Sequence, residues 1–463
     1  MQEFEATGYW FLPDNPSREI AGTLRFSPSD GLTLSLSGTL KDKEFFQPPA
    51  VEKHAMIHGV TNESPYGKMF SLVDCFRSSA SLHMPGFATE KIHANSAYAG
   101  EHLLQEGDLR FDEFCVYFSD LPNWIRLAGI PMDAAKTDDR VGDLHFNYHA
   151  PKAIQVTFAE KSLALEFHRE SSCSKRSFTF REHVAFCMRN LEQVAIDQIH
   201  REYLRPLHNF FTFAADFPNA IDELVVRNGR LRLQGADRPS AIHVLMQPQY
   251  VRAEEKPRDA HDMLFTYEDV SDFFGEVLNR WVMFCENFSP FCGVYFSSQY
   301  CPGHFVEERF LSAVRALILM FRETTPECAH VRGALKGMMD SLSQTAMGTH
   351  SQWVTDVMPL EAELCFPWHL SEALTKYRDL LGALIGDDIE PFVSSVVATR
   401  RYVSCPEPSQ RSGALRGLDL HWTTEKLNAL IKVCILDWLK FPRDLISKLL
   451  NRNARYQHLK SVP

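Results

Sequence analysis

The stretch Leu32–Ser37, which reads LTLSLS, decides the first half of the fold because apolar and polar side chains alternate along it. Successive side chains of a strand point to opposite faces of a sheet, so this alternation is typical of a strand with one buried face. Similar β-rich runs, separated by Gly and Pro residues, lie at residues 23–27, 70–76, 111–118, 154–158 and 163–167. Together they predict an antiparallel sheet or sandwich over residues 1–188, with a short helix near residues 121–127.

The spacing of apolar residues changes near residue 189. Leu191, Val194, Ile199 and Tyr203 recur at helical spacing, and Pro206 is expected to kink or interrupt that helix. Further on, the pattern predicts short strands at residues 223–227, 231–233 and 242–246 and a helix over residues 271–287. We therefore interpret residues 189–300 as a mixed α/β continuation of the first half.

From Val306 onward the sequence is helical almost throughout. Phe310, Val314, Leu317 and Phe321 form one apolar stripe at helical spacing. A second stripe consists of Leu427, Leu430, Ile431, Cys434, Ile435 and Trp438, and further helices are predicted at residues 352–365, 369–384 and 387–402. Residues 301–463 are thus expected to form an all-α bundle of about five to seven helices. The predicted fold class is α+β, with the β-rich region first.

Composition narrows the class of protein. The 463 residues are 45% hydrophobic and 23% charged, as in ordinary globular proteins. The sequence contains no run of about 20 apolar residues, so no membrane-spanning helix is predicted. The first residues, MQEFE, lack the apolar segment of a secretion signal, so we expect a cytoplasmic protein without membrane contact.

The charge is distributed unevenly. The formal net charge is −11, yet the last 64 residues, from Arg400, hold 12 basic and 5 acidic side chains. A basic region on an acidic body suits an anionic partner such as RNA. It is equally consistent with a solvated basic helix face.

The eleven cysteines are scattered and, in a reducing compartment, are expected to be free thiols. Cys301 and His304 have a spacing that zinc tolerates, but Cys285 and Cys292 are too far apart for a usual zinc knuckle. The sequence also lacks a phosphate-binding Gly-rich loop, a Gly-x-Ser-x-Gly elbow and a His-Glu-x-x-His helix. We therefore assign no metal and no cofactor.

Several strings occur in the order found in ApeA-like anti-phage defence proteins. The strings that resemble the N-terminal domain of that family are Gly8–Pro13, Gly22–Leu24, Gly31–Leu34, Ile57–Thr61, Leu72–Phe76 and Leu121–Trp124. Val306–Leu317 and Leu449–Leu459 resemble the opening and the end of the family's C-terminal HEPN domain. The resemblance implies a bacterial abortive-infection effector. Its first half would sense an unknown phage-derived trigger, and its HEPN domain would dimerise and cut RNA, with tRNA as a candidate substrate.

HEPN ribonucleases use an Arg followed, after four to six residues, by a His. Cleaving RNA without a metal needs a base for the 2′-OH proton and a cation for the phosphate, roles that suit His and Arg. The family motif resembles Thr-Arg-Asn-Tyr-x-x-His, and the matching stretch Thr399–Cys405 reads TRRYVSC. Arg400 matches, Arg401 replaces the Asn and Cys405 replaces the His. A free thiol has a pKa near ~8.5, so Cys405 is a poor base at neutral pH unless nearby arginines lower that pKa.

A second Arg–His pair, Arg452 and His458, has five residues between its members. His458 is either a catalytic base or an ordinary residue at the end of a helix, because such spacings also arise by chance. The candidate catalytic residues are thus Arg400, Cys405 and His458. The candidate RNA-binding residues are Arg401, Tyr402, Arg452 and Arg455; Tyr402 either stacks on a base or packs within the bundle.

Three functions stay open on these grounds. The first is a metal-independent HEPN endoribonuclease that acts on RNA as a homodimer, with an atypical Arg-x4-Cys motif. The second is a catalytically degenerate HEPN protein that binds RNA or regulates through protein interactions. The third is a module whose helices serve dimerisation only.

Overall fold

A computed structural model describes residues 1–41, 52–82, 86–104, 106–129, 148–231, 238–251, 258–301, 303–324, 365–406 and 413–462. The chain forms two compact units. The sheet unit comprises Met1–Arg258 with Thr266–Gly275, and the helical unit comprises Asp259–Phe265 with Glu276–Pro463. None of the described helices has the length and apolarity needed to cross a membrane. The predicted boundaries at residues 188 and 300 stay predictions.

The sheet unit is built on antiparallel strands. They are β1 (Phe4–Leu12), β2 (Asn15–Ser27), β3 (Gly31–Leu36), β4 (Lys53–Thr61), β5 (Met69–Leu82), β6 (Ala88–Ala99), β7 (Arg110–Phe111), β8 (Glu113–Phe118), β9 (Ile154–Phe158), β10 (Lys161–Cys173), β11 (Phe178–Met188), β12 (Val194–Ala195), β13 (Ile221–Arg227) and β14 (Ile242–Met246). Twelve of them form one sheet in the order β3-β2-β1-β4-β5-β6-β14-β13-β8-β11-β10-β9, and β7 pairs with β12. Because β3 also pairs with β6, the first six strands close on themselves.

The helices follow in chain order. They are α1 (Leu121–Ile125), α2 (Ile196–Gln198), α3 (Arg205–Ala215), α4 (Tyr267–Val270), α5 (Phe274–Asn287), α6 (Ser289–Tyr300), α7 (Val306–Thr324), α8 (Phe366–Lys376), α9 (Arg378–Ile385), α10 (Glu390–Ser404), α11 (Gly417–Trp438), α12 (Arg443–Arg452) and α13 (Ala454–Lys460). The α+β fold class, with the strands first and the helical part last, is confirmed.

The closed part of the sheet forms because its strands alternate buried and exposed residues. In β3 the predicted alternation buries Leu32, Leu34 and Leu36. Trp10 is fully buried, and its indole N–H donates to the Gly22 carbonyl at 3.2 Å. Gly59 lies opposite Trp10 in β4, where any side chain would collide with the indole ring. The indole ring of Trp10 therefore fits in the core because residue 59 is a glycine.

The open part of the sheet is covered by α1 and α3. Phe211 of α3 stacks on Phe118 of β8 with ring centroids 5.3 Å apart, and Trp124 of α1 packs edge-on against both Phe210 and Phe211. Pro206 lies in the first turn of α3 and follows a π-helical turn at Ile199–Leu204. The predicted interruption near Pro206 is thus a widened turn within a continuing helix.

The helical unit buries the predicted stripes. The stripe of α7 is buried at Phe310, Val314, Leu317 and Phe321. Residues of α11 are buried along most of that helix, from Leu420 to Leu436. The predicted helix at 369–384 is two helices, since the chain turns at Tyr377, whose hydroxyl donates to the Asp437 carboxylate at 2.8 Å. The predicted helix at 352–365 lies almost entirely outside the described residues, as do two residues of the predicted strand at 231–233.

The prediction that all cysteines are free thiols is wrong for one pair. Cys115 of β8 and Cys187 of β11 lie directly opposite each other, with Cα atoms 4.1 Å apart, and form a disulfide. Strand register brings them together across 72 residues of sequence. The free cysteines in the described part are Cys75, Cys173, Cys285, Cys292, Cys301, Cys365, Cys405 and Cys434.

Candidate functional site

The predicted Arg–Cys motif lies at the end of α10. Thr399 is buried, where its hydroxyl donates to the Ser395 carbonyl at 2.7 Å and accepts from the Leu415 N–H at 2.9 Å. These bonds fasten the segment before α11 to the last turns of α10. Arg400 is half-buried with its guanidinium carbon 5.8 Å from the centre of the Phe366 ring, whereas Arg401 is exposed.

Tyr402 and Cys405 have different surroundings at this helix end. Tyr402 is half-buried, and the Arg416 guanidinium lies over its ring at 5.2 Å from the centroid. Cys405 ends α10 as its C-cap: it is exposed, and its N–H donates to the Arg401 carbonyl at 2.9 Å. The turn at the end of α10 thus contacts its surroundings through two arginine–aromatic pairs, Arg400 with Phe366 and Arg416 with Tyr402.

His458 lies on α13 and is exposed. Its ring meets Trp422 of α11 edge-on, with centroids 5.5 Å apart. One turn earlier, Arg455 reaches Glu425 at 3.4 Å, and Glu425 also binds Arg309 of α7 at 2.8 Å. The Glu425 carboxylate therefore neutralises part of the positive charge of Arg455, which the sequence predicted to bind RNA.

Both predicted groups contact the first turns of α11. Arg416, the residue before α11, covers Tyr402, and Trp422 contacts His458. Arg416 and Trp422 are six positions apart, which is about 9 Å along a helix axis. Arg452 ends α12 just before the break that leads into α13. The start of α11 therefore contacts one residue of each predicted group, Tyr402 and His458, and its positive dipole end favours anions.

A second polar cluster, which sequence reasoning missed, lies on the face of the sheet opposite Phe114 and Phe186. His168 of β10 contacts the Tyr117 hydroxyl through Nδ1 at 2.5 Å and the Glu166 carboxylate through Nε2 at 3.2 Å. Arg189 donates two hydrogen bonds to Glu166. The hydrogen bond from His168 and the adjacent Arg189 lower the pKa of Glu166 to about 2, whereas burial raises the pKa of Tyr117 to about 12.

The disulfide borders this polar cluster. Cys187 is almost fully buried, and its sulfur lies within 4.8 Å of potential ligand atoms of Glu166 and His168. Within the described part of the chain, the Cys285, Cys292, Cys301 and His304 side chains do not form such a set. The sequence carries no signal for the cluster, because its members come from three strands with no motif spacing.

The helical unit also contains a cavity of about 560 Å³. Its polar wall is formed by Asp437, which accepts hydrogen bonds from the Lys376 ammonium and the Tyr377 hydroxyl, both at 2.8 Å. Burial raises the pKa of Cys434 in the same wall to about 12. The cavity has the size of a ligand pocket, but none of the sequence-predicted site residues lines it.

The profile of the family described as ApeA N-terminal domain 1 matches residues 5–281, more than half of the chain. The chain belongs to this ApeA family. Searches of curated proteins and of solved structures found no match.

The ApeA match confirms the N-terminal resemblance and supports a role in anti-phage defence. It covers the polar cluster with Tyr117, Glu166, His168 and the Cys115–Cys187 disulfide, and it ends within α5. The start of α11 lies beyond the ApeA match. The C-terminal HEPN resemblance and the roles of Arg400, Cys405 and His458 therefore stay predictions.

Proposed function

We propose that this ApeA-family chain is an abortive-infection effector whose helical unit acts on RNA as a homodimer, by metal-independent endonucleolytic cleavage, in the bacterial cytoplasm. Membership of the ApeA N-terminal domain family supports defence. The observation that carries the RNA proposal is the clustering of Arg400, Arg401 and Arg416 with Tyr402 where α10 ends and α11 begins.

In this proposal Arg400 holds the scissile phosphate. Arginine suits that role because its planar fork donates paired hydrogen bonds to phosphate oxygens. Arg401, exposed on the same turn, would bind a neighbouring phosphate. Tyr402 is half-buried beneath Arg416, which favours packing of its ring over stacking on a base.

The base that removes the 2′-OH proton is either His458 or Cys405. His458 is exposed on α13 beside Trp422, and histidine is the side chain that most often serves as a general base. Cys405 is exposed at the end of α10 but carries a thiol, which serves as a general base less often than an imidazole. Of the two side chains, His458 fits the chemistry better.

A second candidate function is a degenerate HEPN protein that binds RNA or partner proteins without cutting. Two observations favour it. Cys405 stands where the family pattern has His, and Glu425 already neutralises Arg455 near His458. Both functions use Arg400 and Arg401 for binding, so only cleavage separates them.

The test is incubation of the purified protein with total tRNA and with other RNA, each with and without EDTA. Cleavage that persists in EDTA and is lost in Arg400→Ala and His458→Ala supports the nuclease proposal. Arg322→Ala is the matched control, since Arg322 is an exposed arginine paired with its neighbour Glu323. Cleavage unaffected by either site variant would overturn the assignment.

Two further outcomes point elsewhere. Binding without cleavage favours the degenerate protein, and in that case Cys405→His should raise cleavage by about 10²–10⁴-fold, the usual contribution of a general base. Absence of both binding and cleavage favours a module that only mediates protein contacts. Size-exclusion chromatography with light scattering tests the homodimer directly.

A further inference from the structure

The polar cluster of the sheet unit brings four potential metal ligands to one face of three neighbouring strands. Cys115 and Cys187 lie opposite each other on β8 and β11. Glu166 and His168 lie two residues apart on β10, so both point to the same face. Their ligand atoms and the Cys187 sulfur all lie within 4.8 Å of one another.

This arrangement is close to the dimensions of a zinc site. Zn–S bonds of about 2.3 Å and Zn–N bonds of about 2.1 Å give tetrahedral edges of about 3.4–3.8 Å. Shifts of about 1 Å would bring the Glu166, His168 and Cys187 atoms to those edges. The Cys115 sulfur, which is bonded to the Cys187 sulfur in the disulfide, would have to turn away from it on reduction to take the fourth position. Two thiolates, an imidazole and a carboxylate are donors that zinc prefers, and cysteine pairs in reducing compartments bind metals more often than they form disulfides.

The surroundings orient the donors as metal sites require. Zinc binding requires the tautomer that carries its proton on Nδ1: His168 then donates to the Tyr117 hydroxyl, and Nε2 binds the metal instead of donating to Glu166. Such an outer contact fixes the ring of a metal-binding histidine. Arg189 holds Glu166 by two hydrogen bonds, yet a carboxylate keeps further lone pairs for a metal.

We propose that Cys115 and Cys187, when reduced, bind a zinc ion together with His168 and Glu166, and that oxidation to the observed disulfide releases it. Low exposure supports tight binding: Cys187 is 1% exposed, and the Glu166 side chain is 15% exposed. The site lies within the matched ApeA domain, and the proposal does not depend on RNA cleavage by the helical unit.

The release step balances with a small-molecule disulfide as the oxidant. One thiolate attacks the R–S–S–R bond and displaces R–S⁻, and the second thiolate then attacks the mixed disulfide and displaces the other R–S⁻. The Cys115–Cys187 bond forms, two electrons pass to the small-molecule disulfide, and Zn²⁺ leaves with His168 and Glu166 unchanged. The zinc-bound and disulfide forms are therefore alternative states of the same strand pair.

The experiment uses the full chain, stripped of metal by a chelator, in a phosphine reductant. After addition of ZnCl₂ and gel filtration, elemental analysis is expected to find one zinc per chain. Co²⁺ in place of zinc should give the thiolate charge-transfer band and the intense visible bands of a tetrahedral site. Because the spectrum needs no variant, it tests the donors even if substitutions disturb folding.

Variants assign the site. Cys187→Ser and His168→Ala should abolish stoichiometric zinc, and Tyr117→Phe should weaken zinc binding by about 10–100-fold through loss of the outer contact. Cys173→Ser is the matched control, since Cys173 is an exposed thiol at the end of β10. Oxidised glutathione should release the metal as peptide mapping detects the Cys115–Cys187 crosslink.

Two results would overturn the proposal. One is reduced wild-type protein that retains no zinc and shows no tetrahedral Co²⁺ spectrum. The other is zinc that persists in both Cys187→Ser and His168→Ala but is lost in Cys301→Ser, which would place the metal in the helical unit.

Discussion

The two units treat buried polarity in opposite ways. In the described part of the chain, every buried carboxylate lies in the sheet unit: Glu90, Asp120 and Asp216. The buried polar side chains of the helical unit include no carboxylate, and burial lowers the pKa of the one histidine among them. They are His369, Thr399, Thr423, Thr424, Asn428 and Asn453. Its ion pairs include exposed ones such as Arg443–Asp379, and Glu425, which binds Arg309, keeps 14% of its side chain exposed.

This difference separates stability from recognition. A charge buried in the sheet unit must keep its partner, because an unpaired ion in a low-dielectric interior costs several kcal/mol. A charge on the surface of the helical unit contributes little to stability and remains available to an anionic partner. Removing a buried charge should therefore destabilise the sheet unit. Removing a surface charge of the helical unit should instead change the binding of an anionic partner.

The largest expected effect is that of Arg77→Ala. Arg77 binds Glu52 at 2.7 Å and Glu90 at 3.4 Å, and only 2% of the Glu90 side chain is exposed. Removing the guanidinium takes a cation away from Glu52 and from the buried Glu90, so the free energy of unfolding should fall by about 3–5 kcal/mol. Urea unfolding followed by tryptophan fluorescence measures it.

The matched control is Arg443→Ala in the helical unit. Arg443 pairs with Asp379 on the surface, where 41% and 55% of the two side chains are exposed. Because such exposed pairs contribute little, the free energy of unfolding should fall by less than about 1 kcal/mol. Equal losses for the two variants would contradict the comparison between the units.

The second effect is a pH dependence that comes from His208 of the sheet unit. Burial lowers the pKa of His208 to about 4 from 6.5, and its Nε2 contacts the Asn219 carbonyl at 2.8 Å. The unfolded chain binds the proton more tightly than the folded protein does. The contribution of neutral, buried His208 to the free energy of unfolding is therefore fully present above pH 6.5 and is lost as pH falls toward 4. The loss approaches about 3 kcal/mol, or about 1.4 kcal/mol per pH unit.

Unfolding of wild type and His208→Gln at pH 8, 6, 5 and 4 isolates this contribution, because other titrating groups act in both proteins. The difference in unfolding free energy between the two proteins should shrink as pH falls. A difference that stays constant from pH 8 to pH 4 would falsify the assignment to His208.

Local pattern was enough to predict much of the fold. The alternation in Leu32–Ser37 and the stripe from Phe310 to Phe321 each encode a buried face within a few residues, and both are confirmed. The helix at 369–384 was predicted as one piece because nothing local marks Tyr377 as a break. The contact of Tyr377 with Asp437, 60 residues away, accompanies that break.

The sites show the same limit. The sequence predicted a helix that ends near Tyr402, and α10 ends at Ser404, so the position of the Arg400–Cys405 turn could be read in advance. The contacts of that turn could not, because Phe366 and Arg416 come from other elements. The cluster of Glu166, His168 and Cys187 depends on strand register alone, which no spacing in the sequence records.

The third effect concerns a neutral buried group of the helical unit. Asn453 is 2% exposed: its side-chain oxygen accepts from the Tyr456 N–H at 3.0 Å and its amide donates to the Met263 carbonyl at 3.3 Å. Asn453→Ala removes the N-cap of α13 and leaves buried groups unpaired, so unfolding should cost about 2 kcal/mol less. Exposed Asn451→Ala is the control, expected within about 0.5 kcal/mol of wild type in the same urea titration. An equal loss of unfolding free energy in Asn451→Ala would contradict the assignment, because the loss would then not be specific to the Asn453 cap.

The smallest effect on stability and the sharpest test of the comparison is Arg401→Ala. Arg401 is exposed on the last turn of α10, so the free energy of unfolding should change by less than about 0.5 kcal/mol. If its guanidinium binds an RNA phosphate, loss of that contact should weaken binding to all RNA sequences alike. It should also reduce the slope of log affinity against log salt concentration by about 0.7, the value for one contact to single-stranded nucleic acid. Fluorescence anisotropy with labelled RNA at several salt concentrations measures both quantities. An unchanged salt slope together with unchanged stability would mean that this arginine is a solvated charge, and the helical unit would then lose one of its exposed candidates for RNA recognition.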